Sequence, residues 1–159
     1  MLIIVKQIKI MIKRSNLNIK VLIYIILLSN IALFFSCDEN KNPIPIVPVD
    51  FYIDLKLPDY YNLQSVGGYV YVTGGVNGIL IYRSSADEFR AYERTCPYDP
   101  DCGRVSVDER NFVAVDTVCC KSEFSLLLDG AVSQGPAQYP LKQYTCIYDQ
   151  NAQILHIKN

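Results

Sequence analysis

After position 50 the apolar residues alternate with period two and never settle into a helical repeat, which restricts this part of the chain to strands. Runs rich in β-branched and aromatic residues fall at 51–57, 69–73, 78–83, 89–94, 104–107, 112–115, 125–128, 144–148 and 154–157. Turn signals separate them: Gly67-Gly68, Gly74-Gly75, Val76-Asn77-Gly78, Asp129-Gly130 and Asp149-Gln150-Asn151. Nine or ten short strands joined in this way predict an all-β, antiparallel sandwich or barrel. The stretch 94–143 interrupts the rhythm with two cysteine-bearing loops, and loops carried on a rigid sheet are where function concentrates.

The first third of the chain has a different composition. Residues 1–20 hold five of the 15 basic residues (Lys6, Lys9, Lys13, Arg14 and Lys20) and no acid. An apolar run of 15 follows at 21–35, short of the roughly 20 residues a spanning helix needs. Ser36 and Cys37 come next, then the polar stretch Asp38-Glu39-Asn40-Lys41-Asn42. A basic segment, a short apolar segment and a small residue at the junction predict a secretory signal over 1–36. Met11, ahead of Lys13 and Arg14, would itself make a normal start.

Leu33-Phe34-Phe35-Ser36-Cys37 resembles a lipobox, with Phe35 as a departure. That resemblance implies cleavage before Cys37 and lipid on its thiol and amine. Several acyl chains, each contributing about 0.8 kcal/mol per buried CH₂, would hold it to a lipid membrane. Asp38-Glu39 resembles the surface-export signals of Bacteroidota lipoproteins. The expected location is the cell envelope, lipid-anchored at the outer membrane on its periplasmic or surface face. Residues 37–50 are expected to be a tether, kept extended by Pro43, Pro45 and Pro48, and 51–159 one folded domain. All 16 acids follow Cys37 against ten basic residues, a net charge of about −6 that argues against a nucleic-acid partner.

Six cysteines carry most of the remaining information. Cys37 is assigned to lipid, Cys96 and Cys102 share one loop, Cys119 and Cys120 a second, and Cys146 lies in a late strand. Outside the cytoplasm disulfides are the default, while four thiolates from two loops also suit zinc or an iron–sulfur cluster. The spacing is not that of a zinc ribbon, because Cys119 and Cys120 are adjacent. Cys146 reads as a buried free thiol between Tyr144 and Tyr148, and His156 as a strand residue without chemistry. Glu93 and Asp99 flank Cys96 and read as solvated acids. No Ser-His-Asp set or carboxylate pair stands out near the loops, so hydrolytic chemistry has no candidates there.

Thr95-Cys96-Pro97-Tyr98-Asp99-Pro100-Asp101-Cys102 resembles the first cluster loop of a Rieske iron–sulfur domain. Cys119-Cys120-Lys121-Ser122-Glu123-Phe124, with Asp129-Gly130, Gly135-Pro136-Ala137 and Pro140-Leu141 after it, resembles the second loop and the proline segment. The likeness covers roughly 66–158 and implies a Rieske-like antiparallel β sandwich with a small loop-rich subdomain. It also implies a [2Fe–2S] cluster, but the ligand pattern is broken. Anchored on Ser122 and Phe124, the four ligand positions fall on Cys96, Tyr98, Thr117 and Cys120, and a family glycine falls on Lys121. His156 is the one histidine in the chain, so a two-Cys, two-His ligand set cannot be assembled. No cofactor is therefore favoured; a cluster, if present, would have to draw on Cys96, Cys102, Cys119 and Cys120.

Some family members join the two loops by a disulfide, and the resemblance places that bridge at Cys102 and Cys119. Cys96 and Cys120 then face each other across the cluster position and are expected to form a second bridge. The opposite pairing, Cys96 with Cys119 and Cys102 with Cys120, stays open because adjacent cysteines can exchange partners. The resulting expectation is a disulfide-stapled, non-enzymatic binding or structural module that meets an envelope protein partner. The alternative is a redox protein, either an electron carrier with an atypical cluster or a thiol–disulfide protein.

Overall fold

The computed structural model describes residues 42–110 and 112–159. The expected signal at 1–36 and Cys37, the expected site of lipidation, lie outside them. Ten strands and one 3₁₀ helix make up the described fold, and the all-β reading holds. Strands β1 (Asp50–Asp54), β2 (Tyr69–Val72), β3 (Ile79–Arg83), β4 (Phe89–Glu93), β9 (Gln143–Asp149) and β10 (Ile154–Lys158) form a six-stranded sheet in the order β1-β10-β9-β4-β3-β2. Strands β5 (Ser106–Asp108), β6 (Val113–Val115), β7 (Glu123–Ser125) and β8 (Ala131–Gln134) form a second sheet of four in sequence order. Every pairing is antiparallel.

The run Ile79-Leu80-Ile81-Tyr82 explains how the sheets are joined. All four residues are buried, so β3 has no solvent face. Ile79 and Ile81 enter one core with Ile53, Leu63, Phe89, Ala91, Tyr144, Leu155 and Ile157. Strands from both halves of the six-stranded sheet share this core, so the sheet curls over a single interior. Leu80 and Tyr82, on the opposite face, join Tyr92, Cys96, Val105, Ala114, Phe124, Leu126 and Leu141 in a second core. That second core sits between β3–β4 and the four-stranded sheet and holds the cysteine loops. A strand buried on both faces reads as a continuous apolar run, which is what residues 79–82 show.

Strand bounds depart most from the periodicity in three places. The first strand ends at Asp54 instead of 57. There the Asp54 carboxylate accepts the Lys56 N–H at 3.0 Å, and Pro58, which has no N–H to donate, opens a 3₁₀ helix (Pro58–Gln64) that drops Leu63 into the first core. The run at 125–128 is not a strand: β7 ends at Ser125, and Leu127 and Leu128 are exposed ahead of a turn with Asp129 at φ 53° and Gly130 at φ 71°. Two successive positive φ values mark a type I′ turn, which the Ala131 N–H closes on the Leu128 carbonyl at 2.9 Å at the end of the 126–130 connection between Ser125 and its partner Ala131. That turn launches β8, a short edge strand of two apolar then two exposed polar residues, too brief for an alternation to reveal it.

The described part of the expected tether does not hang free. Ile44 and Val49 are buried, and Asn42, Lys142 and Asn159 hydrogen-bond across to the carbonyls of Pro140, Pro45 and Val47 respectively. Residues 42–49 therefore lie along the domain, and β1 begins at Asp50. The prolines keep the stretch out of a ladder without keeping it off the surface.

Candidate functional site

Loop one, 94–105, connects β4 to β5 and closes on itself. The Val105 N–H bonds the Arg94 carbonyl at 2.7 Å, Thr95 bridges to Arg104, and the Cys102 N–H turns back to the Asp99 carbonyl at 3.2 Å. Loop two, 116–122, connects β6 to β7 and is pinched at its ends by the Asp116 N–H on the Ser122 carbonyl at 3.0 Å. Cys102 and Cys119 are joined by a disulfide across the two loops. This is the bridge expected from the family resemblance, and it excludes the exchanged pairing. Gly103 allows the close approach, since a Cβ there would lie 3.1 Å from Asp116 Oδ1 and 3.3 Å from Cys119 Sγ.

Cys96 and Cys120 are brought together but not joined. Their sulfurs are 3.2 Å apart as free thiols, so the second expected bridge is a contact, not a bond. Cys96 is fully buried in the second core, whereas Cys120 is partly exposed. Burial and the adjacent Cys120 push the Cys96 thiol up to about 12, against the N–H groups of Tyr98 and Asp99, which bond its sulfur and favour the thiolate. The Cys120 sulfur lies 3.1 Å from Asp116 Oδ2 and 3.1 Å from Ser122 Oγ. Ser122 Oγ in turn accepts the Ala137 N–H at 2.9 Å, which ties loop two to the proline segment.

Asp116 organises loop two and was not singled out in the sequence. Its carboxylate is fully buried and accepts the N–H groups of Val118, Cys119 and Cys120 at 3.1, 3.0 and 3.3 Å. Burial pushes its pKa up, but the bonds from Cys119, Cys120 and Val118 outweigh that and hold it below the usual carboxylate range. An Asp followed by a tight polar turn is the available signal, because Asp side chains bond backbone N–H groups two to four residues on. Cys96, Asp116 and Cys120 place one ligand atom each within 4.8 Å of one another.

The other ligand-equivalent positions lie elsewhere. Tyr98 is 56% exposed and Thr117 is exposed at the rim of loop two. Lys121, in the family's glycine position, adopts φ 58°, the left-handed backbone that glycine would take without strain. His156 lies on β10, with Nε2 2.6 Å from Asp50 Oδ1 and its ring stacked on Tyr52 at 4.2 Å. Cys146 is a free thiol, as expected, and is partly rather than wholly buried. It packs against the first core, and its desolvation pushes the thiol up to about 12.

A two-iron cluster separates the ligands of its two irons, and sulfurs in contact at 3.2 Å leave no space for it between Cys96 and Cys120. With Tyr98 and Thr117 exposed and His156 engaged on another strand, these residues do not fit the four-ligand cluster.

Glu93 corrects the expectation of a solvated acid. It is fully buried and accepts five hydrogen bonds: the N–H groups of Val76, Asn77 and Thr95 and the hydroxyls of Thr95 and Tyr144, at 2.7 to 3.1 Å. Burial pushes its pKa up, but these donors prevail and hold it below the usual range. Glu93 thus fixes the start of loop one to the 75–77 turn and to β9. Asp99, by contrast, is exposed as expected.

No family model and no curated protein matches the chain. Among solved structures, it is similar to the cyanobacterial plasma membrane Rieske protein PetC3 from Synechocystis PCC 6803, with 18% identity and a TM-score of 0.49, over 72% of this chain and 99% of that one. It is also similar to the ferredoxin of carbazole 1,9a-dioxygenase from Nocardioides aromaticivorans IC177, with 13% identity and a TM-score of 0.46, over 70% and 97% of the two chains.

Proposed function

We propose that this chain is a lipid-anchored envelope protein whose domain is a Rieske-like module without an iron–sulfur cluster, serving as a non-enzymatic binding or structural unit. The observation that carries the reading is the state of the loops. Cys102–Cys119 staples them, while the two cysteines at ligand-equivalent positions touch at 3.2 Å. Burial raises the Cys96 thiol, which makes it a poor nucleophile for rapid thiol exchange. Anchoring is supported by the basic segment, the apolar run and the lipobox-like residues up to Cys37. An envelope protein is the expected partner.

Two measurements on the full chain, purified from membranes without oxygen, test this. Iron and acid-labile sulfide are expected to be absent, with no visible absorption. Stoichiometric iron and sulfide would contradict the cluster-free reading. Labelled fatty acid is expected to enter the native chain and to be lost in Cys37→Ser; label retained by Cys37→Ser would remove the anchor.

A further inference from the structure

We propose that Cys96, Cys120 and Asp116 form a binding site for one thiophilic divalent cation of the zinc class, a use of this pair distinct from both a cluster and a second bridge. The proposal rests on the cluster-free reading of the same loops.

Three donor atoms of suitable type converge within 4.8 Å: two sulfurs and a carboxylate oxygen. Zinc takes cysteine sulfur at about 2.3 Å and carboxylate oxygen at about 2.0–2.2 Å in a tetrahedral shell. Two such sulfurs stand about 3.8 Å apart by tetrahedral geometry, so the pair at 3.2 Å needs to open by only a few tenths of an ångström. Cys120, on the partly exposed side, can supply that movement. Three protein ligands leave a fourth position for water or for Ser122 Oγ, 3.1 Å from the Cys120 sulfur.

The surroundings suit metal-bound thiolates. Three backbone N–H groups aim the Asp116 carboxylate, and such supporting bonds fix a ligand's orientation. The Cys102–Cys119 staple holds both loops in register. Binding exchanges protons for metal: the cation takes two sulfur–metal bonds, both thiol protons leave to solvent, and no electron is transferred. Two thiolates and one carboxylate against a divalent charge leave a net −1. The mixed sulfur and oxygen set favours zinc over copper(I), which prefers sulfur alone.

Cobalt(II) is the probe, titrated into the full chain purified without oxygen. One equivalent should produce thiolate-to-cobalt absorption with the visible bands of a tetrahedral site, and zinc(II) should displace it. Cys96→Ser and Cys120→Ser should each weaken binding at least 100-fold, and Asp116→Asn, which keeps an acceptor for the loop, about tenfold or more. Cys146→Ser should leave affinity unchanged. Cys120→Ser, at the partly exposed position, keeps the test informative if Cys96→Ser fails to fold. Absence of the charge-transfer band, or unchanged affinity in Cys120→Ser, would overturn the proposal. A colourless chain that binds no cobalt removes this site alone, whereas stoichiometric iron and sulfide remove the cluster-free reading beneath it.

Discussion

Glu93→Ala is expected to lower the stability of the domain by roughly 3–5 kcal/mol. The substitution leaves three backbone N–H groups and two hydroxyls without their shared acceptor in a fully buried site. An unsatisfied buried donor costs about 1–3 kcal/mol, with partial relief where water enters. Glu93→Gln should cost less, since one oxygen still accepts, although its amide group then faces donors. Urea midpoints of the two variants against the native chain give the comparison; equal midpoints for Glu93→Ala and the native chain would contradict the network. The pH dependence has a definite sign. The folded pKa of Glu93 lies below its ordinary value of about 4.5, so its contribution is fully present above that value. The contribution is lost as pH falls through the folded pKa, and Asp116 acts in the same direction. Acid should therefore destabilise the native domain more steeply than Glu93→Gln.

Removing the staple should have the next largest effect. Cys102 and Cys119 are 17 residues apart, and a loop of that length contributes about 3 kcal/mol in the chain-entropy model. The double variant Cys102→Ser, Cys119→Ser should lose about that much in denaturant. It should also let the loops part, so that Cys96, fully buried in the native chain, reacts with a thiol reagent many-fold faster. An unchanged midpoint with an unchanged Cys96 rate would show that the loops are held without the bridge.

The strands were legible because alternation is a direct consequence of which face is buried. Residues 78–83 read as a strand after the Val76-Asn77-Gly78 turn, and Asp129-Gly130 read as a hairpin-like turn, which lies between β7 and β8. β8 was not legible, because Ala131–Gln134 pairs along an edge and buries little. In the site, the resemblance of the two loops to those of a Rieske domain implied the Cys102–Cys119 bridge and Cys96 facing Cys120, although the second bridge it also suggested is not formed. Asp116 and Glu93 were hidden for one physical reason. A carboxylate satisfied by backbone N–H groups is indistinguishable in sequence from one satisfied by water, and only the fold brings Val76, Asn77 and Tyr144 to Glu93. Gly103 was equally silent, since its role is the space it leaves for Asp116 and Cys119.

The central claim is that one bridge holds two loops whose remaining cysteines form an open pair. Its most direct test is cysteine accounting by mass spectrometry. The full chain, purified without oxygen, is alkylated in denaturant before any reduction and then mapped. The account predicts alkylation at Cys96, Cys120 and Cys146 with Cys102 and Cys119 linked. Alkylation at Cys102 and Cys119 as well would contradict the staple, and alkylation at Cys146 alone would contradict the open pair.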